Sequence, residues 1–536
     1  MDFQLFNGMS GEYYLPEIKG GGVGLLDFDN DGDLDVFFVQ GVMLGIDKTL
    51  DDALLPLPPG MPPHDCLFRN DQVSARDGSV ETKFVDVTSS CGIHEQEYGI
   101  GVAVGDYDND GWTDLYVTSI TSNRLWHNNG DGTFTDLTAF ANAGDKRYST
   151  SAAFFDFDRD GWLDLYIVNY VNFAMNTVRI CRSPSGRPDY CAPLSYDALP
   201  DRLLRNRGDG TFEDVSVASR IVTKYGNGLG VVTADFNSDG WIDIYIANDQ
   251  MPNFLWMNQH DGTFEESALL AGCAVSGNGS AEASMGVDAG DYDNDGDEDV
   301  FMTHLIGEAN RLFVNDGTGW FSDRSAVSGV AGPSRNFTSF GSAFFDFDND
   351  GLLDIFVASG AVSSLSKLEN RGDPFPYGQT NQLFKNNGDG GFLDVTDRAG
   401  RVFEVLGVSR GAAFGDLDND GDTDIVVTNI NGPAQLLINQ IGSTNHWIGI
   451  RALTRDGMRD ALGARITVSG KNFLKRSRRA RSDASYSTSN DPRVLIGLNQ
   501  SSEKVNVNVQ WPDGDSEQWT GLEIDRYVTL IQGTGL

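Results

Sequence analysis

The nonapeptide D-x-[DN]-x-D-G-x-x-D occurs seven times in this chain, and that repetition limits the fold more than any other feature. It reads DFDNDGDLD from Asp27, DYDNDGWTD from Asp106, DFDRDGWLD from Asp156 and DFNSDGWID from Asp235. It returns as DYDNDGDED from Asp291, DFDNDGLLD from Asp346 and DLDNDGDTD from Asp416. One copy arises by chance in roughly one chain in a hundred of this composition, and seven do not. Each copy follows a small apolar stretch such as GVAVGD or SAAFFD and precedes a strand-like run such as LYVTS or IYIAN. An apolar pair, a Gly turn and a Phe come next, as in RLWHNNGDGTFTDLT from Arg124 and QLFKNNGDGGFLDVT from Gln382. Asn-Gly and Asp-Gly between apolar runs signal hairpins. A unit therefore reads as four antiparallel strands, one blade, and the set predicts an all-β, seven-bladed β-propeller over residues 1–440.

The seventh unit supplies two strands around its loop and a third at AQLLIN, Ala434 to Asn439, but no TF-x-D strand follows. The N-terminal FQLF is the candidate for the missing outer strand; the alternative is an open ring or a last blade one strand short.

Carboxylates at positions 1, 3, 5 and 9, with a glycine at the sixth position for the turn, gather hard oxygens around one point, and the position 7 carbonyl adds another. Calcium takes six to eight oxygens at about 2.3–2.6 Å in a tolerant geometry, whereas zinc prefers His or Cys and magnesium a stricter octahedron. The predicted ligands are Asp27, Asp29, Asp31 and Asp35 with the carbonyl of Asp33; Asp106, Asp108, Asp110 and Asp114 with Trp112; and Asp156, Asp158, Asp160 and Asp164 with Trp162. The fourth loop offers Asp235, Asn237, Asp239 and Asp243 with Trp241, and the fifth Asp291, Asp293, Asp295 and Asp299 with Asp297. Asp346, Asp348, Asp350 and Asp354 with Leu352, and Asp416, Asp418, Asp420 and Asp424 with Asp422, complete about seven Ca²⁺ sites. An EF-hand is excluded because position 12, its bidentate Glu, is apolar in every copy, from Phe38 to Val427. The competing reading, plain Asx-rich turns, leaves four close acids unshielded.

Charge divides the chain. From Asn445 onward 13 basic residues stand against 10 acidic ones; the first 444 residues hold 26 against 68, a net −42. That break marks a domain boundary, with a second β domain expected over 445–534. Strong overall negative charge argues against nucleic acid and anionic membrane as partners. No apolar run reaches the length of a transmembrane segment, and no export signal is visible at the start.

The loops and their leads resemble FG-GAP/VCBS repeats, the calcium-loop propeller units also found in integrin α-subunit heads. NHWIGIRAL, DALGARITV, RVLIGLN and VNVQWPDG in the tail resemble the ASPIC/UnbV domain. Together the two parts are similar to the cartilage-acidic-protein-like family over nearly the whole chain. That resemblance implies a calcium-binding extracellular or periplasmic module, and the absence of an epidermal-growth-factor-like segment points to a bacterial-type member. Cysteine usage agrees: Cys181 and Cys191 are spaced for a disulfide, Cys66 and Cys91 either pair or remain thiols, and Cys273 is left over.

In a four-stranded meander the Asp loops and the Gly hairpins share one face. The insertions at 40–66, 170–202 and 361–381 share the other, with connections such as the one holding His94 and Glu95. Loops on a rigid scaffold carry binding, so the insertion face is the expected site for a glycan or extracellular protein. No catalytic constellation is legible, and His127 reads as plain hairpin surface. An enzyme on a calcium-loop propeller, polysaccharide-lyase-like or in natural-product biosynthesis, is the rival from another class. The basic run KRSRRAR from Lys475 to Arg481 reads as a patch docking onto the acidic propeller or as a solvated strand edge.

Overall fold

The computed structural model describes all residues except 62, 75–79, 95–96, 178, 184–185, 472 and 474. Glu95, paired with His94 above, lies outside the described residues. Six four-stranded antiparallel sheets and one of three strands follow one another along the chain. The second is representative: Gly99–Gly105, Asp114–Ser119, Arg124–Asn128 and Phe134–Asp136 pair in order. Both faces of each blade are covered, which is why its inner strands read as continuous apolar runs. Leu115 and Val117 pack with blade one around Phe28 and Phe37, while Tyr116 between them packs with blade three around Phe154 and Leu165.

An asparagine at a fixed place in or just after the third strand joins every blade to the blade before. Asn128 donates its Nδ2 to the Phe28 carbonyl at 2.9 Å, and the pattern repeats from Asn206, Asn258, Asn315, Asn386 and Asn439. Asn70 reaches the Leu417 carbonyl of blade seven at 2.8 Å, which closes the circle.

The N-terminal strand expected to complete blade seven is present only in part. Gln4 and Leu5 bridge Pro433 and Ile430, and the Asn431 and Ala434 N–H groups donate to Leu5 and Phe3 carbonyls. From there the chain crosses the insertion-face mouth of the central channel, burying Tyr14, Leu15 and Ile18 against Tyr190 and Tyr377 of two insertions. Much of the insertion face is therefore spent on closing the channel.

Beyond residue 445 two further sheets form. His446–Leu453 pairs antiparallel with Val494–Asn499 and parallel with Tyr527–Ile531. Arg476–Arg479, Arg465–Ser469, Val505–Gln510 and Ser516–Leu522 make the other sheet, around a core of Ile448, Ile466, Val507 and Trp511. This sandwich sits on the Asp-loop face. Of the basic run, Arg476 donates to the Gly351 carbonyl at 2.8 Å, Arg479 pairs with Glu298 at 2.9 Å, and Arg481 pairs with Asp288. The run therefore docks onto the propeller.

The loop after that run enters the central channel. Ser489 exchanges backbone bonds with Val23 and Leu25, Ser487 accepts from Val102, and Ser485 exchanges with Val287. Side chains extend the set: the Ser487 N–H donates to Ser151 Oγ, Asp483 accepts from Thr233, Ser485 Oγ accepts from Ser342, and Asn490 accepts from Phe414. All seven inner strands are touched. At the centre Tyr486 is wholly buried, its ring 4.9 Å from that of Phe340, over which Arg410 lies.

Candidate metal centres

Each Asp loop is a turn built on its own carboxylates. In all but the fifth, the position 1 oxygens accept the N–H groups of position 5 and of the glycine that follows it; for Asp106 the distances are 3.2 and 2.9 Å. The position 5 carboxylate accepts the position 7 N–H in every loop, at 2.8–3.2 Å. Position 4 is left-handed, which favours Asn, and the loop glycine has positive φ throughout. Position 9 is a buried clamp. Asp114 accepts the Tyr107 N–H at 3.1 Å and the Asn128 N–H at 2.8 Å, and the other six position 9 aspartates do the same.

What these bonds leave over decides the chemistry. One oxygen of the position 3 carboxylate, in Asp29, Asp108, Asp158, Asp348 and Asp418, is buried and meets no donor. In the fifth loop Asp291 and Asp297 each keep such an oxygen instead. An unpaired buried carboxylate oxygen is costly, and its repetition at one position fits a hard cation. Ligand oxygens of Asp27, Asp29 and Asp35, and of Asp156, Asp158 and Asp164, lie within 4.8 Å of one another. In the fourth loop Asn237 stands at position 3 and donates to Asp239 at 2.8 Å.

Burial raises these carboxyls. The position 1 groups rise to about 6 in Asp27, Asp156, Asp235 and Asp291 and to about 7 in Asp106, Asp346 and Asp416. At position 9, Asp114 rises to about 8 and Asp35 and Asp424 to about 9. Burial thus makes the ionised loops costly, a cost that a bound divalent ion would offset.

Sequence reasoning missed the cations that the third strand brings in. His127 is no plain surface residue: Nδ1 lies 3.2 Å from Asp114 and 3.3 Å from Asp108, and its hydrogen bond to Asp114 raises its pKa to about 9. His260 meets Asp239 at 2.9 Å, and Lys385 contacts Asp348 and Asp350. His127 and Lys385 hold the same place on a third strand, so alternation along the blade was the available signal for them, whereas His260 lies in the hairpin that follows its strand. Position 4 was missed as well. Asn30, Asn109, Asn294, Asn349 and Asn419 each donate to the glycine carbonyl of a neighbouring loop, stitching adjacent turns together.

Cys181 and Cys191 form a disulfide with Cα atoms 5.0 Å apart. Cys66 and Cys91, considered as a second bridge, are buried free thiols, as is Cys273. Among the described residues no helix is long and apolar enough to cross a membrane.

A family model for FG-GAP-like repeats matches residues 106–167, 185–246, 235–302, 304–357 and 374–427, and one for ASPIC and UnbV matches 454–536. Cartilage acidic protein 1 of Homo sapiens is 29% identical over 353 residues, 62% of this chain and 49% of that protein. The Xenopus tropicalis protein of the same name is 31% identical over 197 residues, 35% of this chain and 28% of its own length. The chain thus spans at most about half the length of these curated relatives. Similar solved structures include an Agrocybe aegerita lectin that recognises non-reducing terminal N-acetylglucosamine, at 16% identity and TM-score 0.39, covering 79% of this chain and 96% of that one. A Bacillus licheniformis rhamnogalacturonan lyase aligns at 11% identity and TM-score 0.30, covering 82% and 91%. Likenesses at these scores say nothing about function.

Proposed function

Because the chain belongs to the FG-GAP-like repeat proteins and ends in an ASPIC and UnbV region, as the cartilage-acidic-protein-like family does, we propose that it is a calcium-binding interaction module of an extracellular or periplasmic space. The observation that carries this reading is the orphaned buried carboxylate oxygen at position 3 of five loops. Seven Ca²⁺ would bring the net charge from −39 to −25. Residues 445–534 would act as a cap on the loop face. Arg476, Arg478 and Arg493 reach the loops through main-chain carbonyls, and the carboxylate that Arg493 pairs with is Asp491 of its own domain, so these contacts leave the loop carboxylates free for the ion. Tyr527, which donates to Asp416 at 2.9 Å, is the exception.

The partner surface in this reading is the insertion face. Its channel mouth is closed by packed tyrosines, yet Ile46, Leu54, Ile180 and Leu194 are more than half exposed on two of the insertions. Exposed apolar side chains on these loops suit a protein partner better than a glycan. The disulfide, at Cys181–Cys191 within the same face, and the cartilage-acidic-protein relatives support an oxidising location.

Metal analysis of dialysed protein tests the first part: close to seven calcium equivalents are expected, and fewer than about four would overturn the reading. Binding to arrays of secreted proteins and glycans, with and without EDTA, tests the second. Leu194→Asp with Ile46→Asp should abolish capture; unchanged capture would move the partner surface elsewhere.

A further inference from the structure

Past Ala434, whose N–H donates to the Phe3 carbonyl, blade seven has no fourth strand alongside Leu436 and Leu437 among the described residues, and that open edge shows what it is built to accept. Leu436 and Leu437 are only half-buried, whereas the matching residues Leu125 and Trp126 of blade two, and Leu312 and Phe313 of blade five, are almost fully covered. In blade two the outer edge of the third strand is spent: the Leu125 N–H donates to Thr138 Oγ1 at 2.8 Å and its carbonyl accepts the Leu137 N–H at 3.0 Å. The same groups of Leu436 have no such partner among the described residues. Beside them runs a groove of about 490 Å³ lined by Phe347, Val395, Val402, Ile425 and Leu437.

The complete blades specify the occupant. In blades two to six the fourth strand opens with a buried Phe stacked, tilted or edge-on against the position 2 aromatic of the preceding loop. The pairs are Phe134 on Phe28 at 6.3 Å, Phe212 on Tyr107 at 5.6 Å, Phe264 on Phe157 at 5.9 Å, Phe321 on Phe236 at 5.7 Å and Phe392 on Tyr292 at 5.5 Å. Phe347, the corresponding residue of loop six, meets no such ring from blade seven among the described residues. Two residues after the Phe comes an acid, Asp136, Asp214, Glu266, Asp323 or Asp394, which in blades two, three and five pairs with the arginine that opens the third strand; Gln435 holds that place in blade seven, and Arg398 lines the groove. The direction is set as well. Gln4 already runs antiparallel to Pro433 at the near end of the same edge.

We propose that the outer edge of blade seven is a strand-addition site for an extended partner peptide of the form Phe-x-Asp/Glu. Its Phe would enter the groove against Phe347, and its backbone would pair with Leu436 and Ile438. Main-chain bonds supply affinity along the edge, and the single apolar pocket supplies selectivity.

The test uses the full chain in calcium and a labelled synthetic peptide with the sequence of residues 132–139, GTFTDLTA, which is the protein's own fourth-strand signature. Saturable binding is expected by fluorescence anisotropy, with the Phe→Ala peptide weaker by at least about tenfold. Amide exchange at Leu436 and Ile438 should slow when the peptide is added. Leu437→Arg should weaken binding by a similar factor while leaving the melting temperature of the free protein within about 2 °C. No saturation up to about 1 mM, or equal binding of the Phe→Ala peptide, would overturn the proposal. A chain that is already dimeric through this edge would do so too.

Discussion

Replacing Tyr486 with Ala tests whether the tail loop holds the ring from inside. The side chain is wholly buried at the channel centre, packed on Phe340, and its loop bonds to all seven inner strands. Removing a buried ring of this size costs about 3–5 kcal/mol, because the cavity sits among strands that cannot collapse inward without breaking their own ladders. Unfolding entropy of about 2.1 cal/mol/K per residue over 536 residues converts that to a fall in Tm of about 3–4 °C. Differential scanning calorimetry in calcium buffer reads it directly. Tyr486→Phe, which keeps the ring, should stay within about 1 °C of the parent. If Tyr486→Ala also melts within about 1 °C, the loop does not occupy the channel and the tail is attached only by its rim.

Chelation should be the larger perturbation. At about 1 mM calcium and a Kd near 10⁻⁴ M each loop contributes about 1.4 kcal/mol, so EDTA should lower Tm by about 9 °C, and a shift under about 3 °C with the metal gone would refute a stabilising role. The chelated protein should also respond to pH with a definite sign. Position 1 aspartates whose folded pKa stands at about 6 or 7 against a reference of 3.8 stabilise the fold below the lower value and lose that contribution as pH rises through the upper one. Melts in EDTA should therefore rise from pH 8 to pH 5.5, and melts in calcium, where the ion replaces the protons, should fall. Lys385→Met removes a competing charge from loop six and should tighten calcium there about tenfold, read by calorimetric titration. Residues 445–536 have their own apolar core, so the isolated fragment should give a β spectrum in circular dichroism without calcium; an unfolded spectrum would count against an independent unit.

The Asp loops, the blade number and the insertion positions were legible because each is local. A turn that needs a glycine at its sixth position and acids at fixed offsets writes itself into nine residues, and seven copies of a four-stranded unit imply a ring. The charge break at residue 445 is equally local, and with it came the expectation that the basic run would meet an acidic surface. Position 12 could be read in the same way: Val117, Ile167 and Ile246 are buried within the strand after each loop. Other features depended on distant partners. Asn258 is an ordinary strand-end residue until its amide is seen to bridge to Phe157 in the blade before. His127 gives no sign in sequence of lying between Asp108 and Asp114, because the strand that carries it is brought to the loop only by sheet pairing. DASYSTSN offers no periodicity, no turn signature and little apolar character, so nothing local predicts that it fills a channel. The loop's conformation follows from the unpaired edges of inner strands far away in the chain, whose backbone groups must find partners once the ring has closed. The sequence alone thus determined the repeating unit and its acid-rich turns. The tertiary structure decided what plugs the ring, which side chains share the loops and where one blade stays open, since those depend on groups made neighbours only by closure.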